Sequence, residues 1–421
     1  MSFISSTSSS SSDDFSKNHE FDCLVDEYVA NHLPHRLLPP DQPQEPPLNN
    51  ETELSTEPKR DREREKGHVQ LYNDYFANNP VYNDNQFRRR FRMQRSLFCR
   101  IMSKVVEGDQ FFQQRRNAAG KLGLSPLQKC TAAIRMLAYG VAADAVDEYL
   151  RLGQTTSRQA LQHFCQGVIS QFESEYLRKP TDEDLRRILH QNDLRGFPGM
   201  IGSIDCMHWE WKNCPTAWKA QYAGRSKSAT LILEAVADQD LWIWHAFFGM
   251  PGSCNDLNVL YRSPGITHPH VRKDKLFADQ QAAVRKDVER AFGVLQARFA
   301  ILRQPALAYD EDILCDIMKA CIIMHNMIVE DERHNYARAD VLRRYYEEDR
   351  PQRTVRRADP STSATVFNNE PFEFNVGRPP NIDFNTYLER RISLRDREIH
   401  SSLKQDLVEH IWQNFRHNAV E

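Results

Sequence analysis

The sequence predicts an α+β protein, and three observations carry that reading. Apolar residues recur at helical spacing from about residue 68 to 196. Three short apolar runs of strand length follow between 200 and 250, and helical spacing returns after residue 280. With 421 residues the chain has room for two or three domains. The shifts in pattern divide it into an arm at 1–66, a helical domain at 67–196, a mixed-sheet domain at 197–332, a mobile loop at 333–399 and a last helix at 400–415.

Each region has its own signal. The arm is Ser-rich, then Pro/Glu-rich, and ends in the charge run KRDREREK, a composition that predicts disorder. Order is expected from HVQLYNDYF (68–76) onward. FRRRFRMQRSLFCRIM (87–102) puts Phe87, Phe91, Phe98 and Ile101 on one helix face and its arginines on the others. SPLQKCTAAIRMLAYG (125–140) opens with Ser-Pro and stops at Gly. ADAVDEYLRLG (143–153) and TSRQALQHFCQGVISQF (156–172) form a helix–turn–helix pattern, with Ser157, Arg158, Gln159 and Gln162 opening its second helix. That second helix would be a DNA-reading recognition helix, which is the preferred reading, and a trihelical packing unit is the plainer alternative.

MIGSID (200–205) reads as a buried strand ending at Asp205, and TLILEAVAD (230–238) and LWIWHAFFGM (241–250) as a hairpin. Residues 280–299 and 313–330 return to helix. The loop after 331 is charged and Pro/Asn-rich. The final helix sets Leu403, Leu407, Ile411 and Trp412 on one face.

Composition excludes little. Net charge is only −3, so a nucleic-acid role needs local basic clusters. The start MSFISSTSSSSSDDF has neither a basic nor an apolar region, so no secretory signal is expected. No apolar run is long enough to span a membrane. Nine cysteines without tight pairing motifs point to a reducing, intracellular compartment.

The chemistry centres on RKDVERAFGVLQARF (285–299), where Glu289 sits among Arg285, Lys286, Arg290 and Arg298. A solvated, charge-mixed helix face is the plain explanation. The sharper one joins Glu289 to strand-borne Asp205. A strand aspartate, a hairpin and a helix glutamate outline an RNase H-like nuclease core, in which carboxylates hold two divalent ions, Mg²⁺ or Mn²⁺, at a phosphodiester.

Longer stretches agree with that outline. GFPGMIGSIDCMHWEWKNCPTAW (196–218), LEAVADQDLWIWHAFFGMPGSCNDLNVL (233–260), RKDVERAFGVLQARF and CIIMHNMIVEDE (321–332) resemble plant members of the PIF/Harbinger transposase group. The resemblance runs from about residue 60 to 332 and returns in HSSLKQDLVEHIW (400–412). It implies a DDE-type RNase H-like domain cutting and joining DNA, with Asp205 as first and Glu289 as third catalytic carboxylate and metal ligand. It also implies a nuclear location and a separate Myb-like DNA-binding partner. Arg285, Lys286 and Arg290 become expected backbone contacts, and so do Arg88, Arg89, Arg90, Arg92 and Arg95.

One departure limits the resemblance. The family's second aspartate lies in a strand between its "NVL…SP" and "KLFA" blocks, whereas here RSP (262–264) passes through GITHPHVRKD (265–274) into KLFADQQ. Roughly forty residues are absent, and ten cannot span a packed strand and its crossover. Asp256 lies 33 positions before Glu289 (289 − 256), a spacing the deletion creates, in an "ND" motif that is not that of the second ligand. It is expected near the metals without replacing the lost ligand. Two-metal catalysis should therefore be impaired, and the Asp205 strand should become a sheet edge. The alternative is a non-enzymatic, domesticated nuclear protein acting through DNA or protein contacts. Cys206, His208, Cys214 and the Cys321–His325 pair match no zinc spacing, and the tryptophans that alternate along the strands read as core.

Overall fold

The structure, a computed structural model, describes residues 62–116, 118, 120–224, 228–253, 272–333 and 397–416. Most of the arm, Asp256, residues 265–271 and most of the 333–399 loop lie outside them.

Among the described residues seven α-helices come first: α1 (Arg64–Tyr75), α2 (Asp84–Phe91), α3 (Arg95–Gly108), α4 (Pro126–Tyr139), α5 (Asp144–Leu150), α6 (Gln154–Tyr176) and α7 (Asp182–Asp193). Helix α1 starts inside the charge run, four residues before the expected His68, and buries Gly67, Leu71 and Tyr75 at i, i+4 and i+8. The 87–102 stretch is two helices rather than one. Arg92 turns left-handed at φ 63° and closes α2, and Met93 drops into the core between α2 and α3. Phe87, Phe91, Phe98 and Ile101 are all fully buried, as their spacing predicts.

Local chemistry fixes several ends. Asn83 with Gln86, Ser125 with Gln128 and Thr181 with Asp184 make capping boxes, each satisfying two backbone N–H groups. Pro126 opens α4, and Gly140 closes it at φ 63°. A Cβ on Gly140 would lie 2.8 Å from the Ala300 carbonyl oxygen, so this position needs glycine both for its backbone and for that approach.

The sheet follows, with β1 (Ser203–Glu210), the short helix α8 (Lys219–Tyr222), β2 (Thr230–Ala237) and β3 (Ile243–Pro251) in the order β1-β2-β3. Both pairings are antiparallel, so among the described residues the sheet is not the mixed one expected. One parallel bridge, Trp211 to Ala306, brings a later segment alongside the end of β1. Strand β1 also begins later and runs further than 200–205. Apolar alternation continues through Met207 and Trp209, which places Asp205 third in the strand instead of last.

Helices α9 (Arg272–Arg298), α10 (Glu311–Glu332) and α11 (Arg397–Phe415) complete the described chain. Helix α9 starts eight residues before the expected 280. Its first turns are held by Phe277, which packs with Phe197, Val284 and Ile411 of α11, and by the Lys273–Glu409 ion pair at 2.6 Å. Leu407 and Trp412 are partly buried, while Leu403 is exposed. One hydrophobic core runs from Leu71 to Val329, with α6 laid against α10. Among the described residues no helix is long and apolar enough to cross a membrane.

Candidate metal and DNA site

Side chains alternate along β1, and Ser203, Asp205, Met207 and Trp209 form its buried face. Helix α9 lies against that face. The Ser203 hydroxyl donates to the Val284 carbonyl at 2.6 Å, and Gln296 reaches Met207 Sδ at 3.0 Å. Asp205 lies between Ser203 and Met207 on the strand face that α9 covers. On α9, Val284, Val288, Ala291, Phe292 and Leu295 make the buried stripe at i, i+4, i+7, i+8 and i+11. Glu289 lies just off that stripe, with its side chain 48% exposed and Arg285 Nε 3.9 Å away. Asp205 is only 9% exposed. The two carboxylates thus sit on elements in direct contact, one at the interface and one at its rim.

The basic residues of α9 divide. Arg285 and Lys286 are exposed beside Glu289. Arg290 instead turns to Asp287, a buried carboxylate that Arg195 also grips at 2.6 Å. This triad ties α9 to the turn after α7. Removing one partner of such a buried pair costs about 3–5 kcal/mol, because the other charge stays buried. Asp287 was not legible as a structural residue: it is two positions from Glu289 in the same charged run.

The 88–95 arginines divide in the same way. Arg88 pairs with Glu332, which also accepts from the buried Arg298 at 2.8 Å. Arg90 lies over the Tyr82 ring at 3.9 Å, Arg92 over Tyr139 at 5.5 Å, and Arg95 pairs with Asp84 at 2.9 Å. Of the five, Arg89 stands exposed. In the opening of α6, Arg158, Gln159 and Gln162 are exposed, but Ser157 is fully buried and faces the core, not a ligand.

The "HN" of CIIMHNMIVEDE is structural. His325 Nε2–H donates to the Leu241 carbonyl at 2.8 Å, which leaves Nδ1 to accept from Arg298 at 3.2 Å. Complete burial, then the Arg298 charge, drive its pKa down to about 3, so the ring is neutral. Cys321 and Cys214 are buried thiols whose pKa values burial raises. Trp209, Trp211 and Trp242 are core, and the first two donate to the Gln304 and Ala308 carbonyls at 2.8 Å each. Among the described residues no three His, Cys, Asp or Glu side chains cluster as a metal site. Asp205 and Glu289 thus have no third such side chain grouped with them among the described residues, and Asp256 lies outside those residues.

Comparison with known sequences gives a family match over part of the chain. Residues 174–267 and 264–336 match the plant transposon protein family, and residues 67–106 match a domain of unknown function. The protein from Arabidopsis thaliana named Antagonist of Like Heterochromatin Protein 1 is 22% identical, over 60% of this chain and 74% of its own. Putative nuclease HARBI1 of Homo sapiens is also 22% identical, over 49% of this chain and 68% of its own. The same protein from Bos taurus matches to the same extent. No solved structure matches the chain. The chain carries a plant transposon protein domain, which is consistent with the Harbinger-type, transposase-derived proteins that its motifs resemble.

Proposed function

We propose that this chain is a transposase-derived, nuclease-like nuclear protein of RNase H-like DDE ancestry that binds DNA but does not cut it. The observation that carries the reading is the broken family match. Its two pieces, 174–267 and 264–336, meet where the strand bearing the second aspartate belongs. Asp205 on β1 and Glu289 on α9 are both present, so in this reading the first and third carboxylates remain and the strand carrying the second is lost.

An intact family site would use Mg²⁺ or Mn²⁺ to activate the attacking oxygen and stabilise the leaving one. Two carboxylates, one of them half exposed, do not fit that pair of ions, and no catalytic step runs through them here. Arg285 and Lys286 lie beside Glu289, and of the eight cations expected at a phosphate backbone they and Arg89 are the exposed ones. A Myb-like partner would supply sequence recognition. The name of the Arabidopsis relative, an antagonist of a heterochromatin protein, supports a second reading in which the fold acts through chromatin protein contacts alone.

Reading the genomic DNA between the codons for Ser263 and Leu276 tests the proposal. Contiguous codons support a true deletion and an inactive site. Hidden sequence encoding an aspartate strand overturns it and restores the nuclease.

A further inference from the structure

Helices α1, α2, α4 and α5 meet around a cavity of about 310 Å³, lined by Tyr75, Tyr82, Arg90, Arg135, Tyr139 and Tyr149. The guanidinium groups pack on ring faces: Arg90 is 3.9 Å from the Tyr82 centroid and Arg135 is 4.5 Å from that of Tyr149. Arg92 adds a third cation over Tyr139 at 5.5 Å. Nothing in the lining is acidic. The nearby Asp74 already accepts from the Tyr149 hydroxyl at 2.5 Å.

These arginines have donors to spare. Arg90 Nη1, Arg92 Nε and Arg135 Nε are buried and have no hydrogen-bond partner among the described residues. A buried donor without an acceptor costs about 1–3 kcal/mol, and more when charged. Two of these arginines, Arg90 and Arg135, line the cavity, and Arg92 lies behind Tyr139, so the cavity is where an acceptor from outside would meet them. We propose that this arginine–tyrosine cleft binds a terminal phosphate carried on a nucleotide, either free or at the end of a nucleic-acid strand.

Charge and size select that ligand. A phosphate monoester carries roughly −1.5 to −2 and three strong acceptor oxygens, which suits the two lining guanidinium groups better than one carboxylate would. The volume falls at the low end of small-ligand pockets, about 300–1,000 Å³, with room for a phosphate and an adjoining ring. The tyrosines give that ring aromatic surface, and Tyr139, 38% exposed, stands at the rim where a base would stack. The inference is independent of the nuclease reading, because Asp205, Glu289 and the α9 cations take no part in this cleft.

Calorimetric titration of the full chain at low salt tests it. The probes are inorganic phosphate, adenosine monophosphate, adenosine, and a short oligonucleotide with a 5′-phosphate or a 5′-hydroxyl. The monophosphate is expected to bind saturably and at least about tenfold tighter than adenosine, as charge-assisted arginine contacts imply. Arg90→Gln and Arg135→Gln should each erase that preference. Tyr139→Ala, at the rim and checked for an unchanged Tm, should weaken the monophosphate more than inorganic phosphate. The double variant Arg285→Gln/Lys286→Gln should leave monophosphate binding intact, which separates this site from the proposed DNA face. A 5′-phosphate oligonucleotide that outcompetes the monophosphate assigns the strand end, and the reverse order assigns the free nucleotide. Equal binding of adenosine and its monophosphate, no saturable binding of any phosphate probe, or unchanged monophosphate binding by Tyr139→Ala would each overturn the proposal.

Discussion

Asn326 satisfies both backbone groups of Ile243: its side-chain oxygen accepts the Ile243 N–H at 2.9 Å and its nitrogen donates to the Ile243 carbonyl at 2.8 Å. The same nitrogen also donates to the Tyr176 carbonyl at 2.8 Å. One carboxamide thus joins α10, the start of β3 and the end of α6. Asn326→Ala would strand one buried N–H and two buried carbonyls. At about 1–3 kcal/mol for each unmet group, the loss should reach about 3 kcal/mol or more in urea unfolding. A midpoint unchanged from wild type would contradict this role.

The neighbouring His325 predicts an acid sensitivity. Its folded pKa, about 3, is depressed below the ordinary histidine value of 6.5. Between those limits the unfolded chain binds the extra proton. The contribution to stability is therefore complete above about pH 6.5 and is lost as pH falls toward 3, by up to about 1.4 kcal/mol per unit. His325→Gln should flatten the pH dependence of stability in this window. Parallel curves for the two proteins would show that another group sets the slope.

Gly140→Ala should destabilise the protein by at least about 1–2 kcal/mol, the cost of forcing a Cβ into the left-handed region. The Ala300 carbonyl, 2.8 Å from that Cβ, adds to the cost because it is backbone and cannot swing aside. Thermal unfolding reads the effect, and an unshifted Tm would rule out the close approach.

How much of this was legible in the sequence depends on the kind of signal. Helix faces were readable because burial follows a period: Phe87, Phe91, Phe98 and Ile101 all went where spacing put them. Ends marked by Ser-Pro and Gly were readable too. The break at Arg92 was not, because it comes from a left-handed arginine with no glycine to announce it. The fate of the basic residues was also hidden. Arg88 and Arg290 look the same in sequence as Arg89 and Lys286, but their carboxylate partners Glu332 and Asp287 are brought to them by the fold. The split in the family match lay in sequence alone, and so did the placement of Asp205 and Glu289 in one domain.

That division of arginines yields a difference in DNA binding. Arg89→Gln, Arg285→Gln and Lys286→Gln should leave stability unchanged, and each should lower the salt slope of binding by about 1, as expected when one cation leaves the phosphate backbone. Arg88→Gln should instead unfold the protein at lower urea, since Glu332 stays buried without it. If the three exposed substitutions leave DNA affinity and its salt dependence as they were, the α9 and α2 surface is not the DNA face.

The most direct test of the central claim is an assay of the purified full chain on duplex DNA with Mg²⁺ and with Mn²⁺. Wild type and Asp205→Ala are compared at equal concentration for strand cleavage and joining. The account predicts no cleavage or joining above background from either protein. Turnover by the wild type that disappears in Asp205→Ala would contradict it, and would mean that a carboxylate outside the described residues, Asp256 first among them, completes the site.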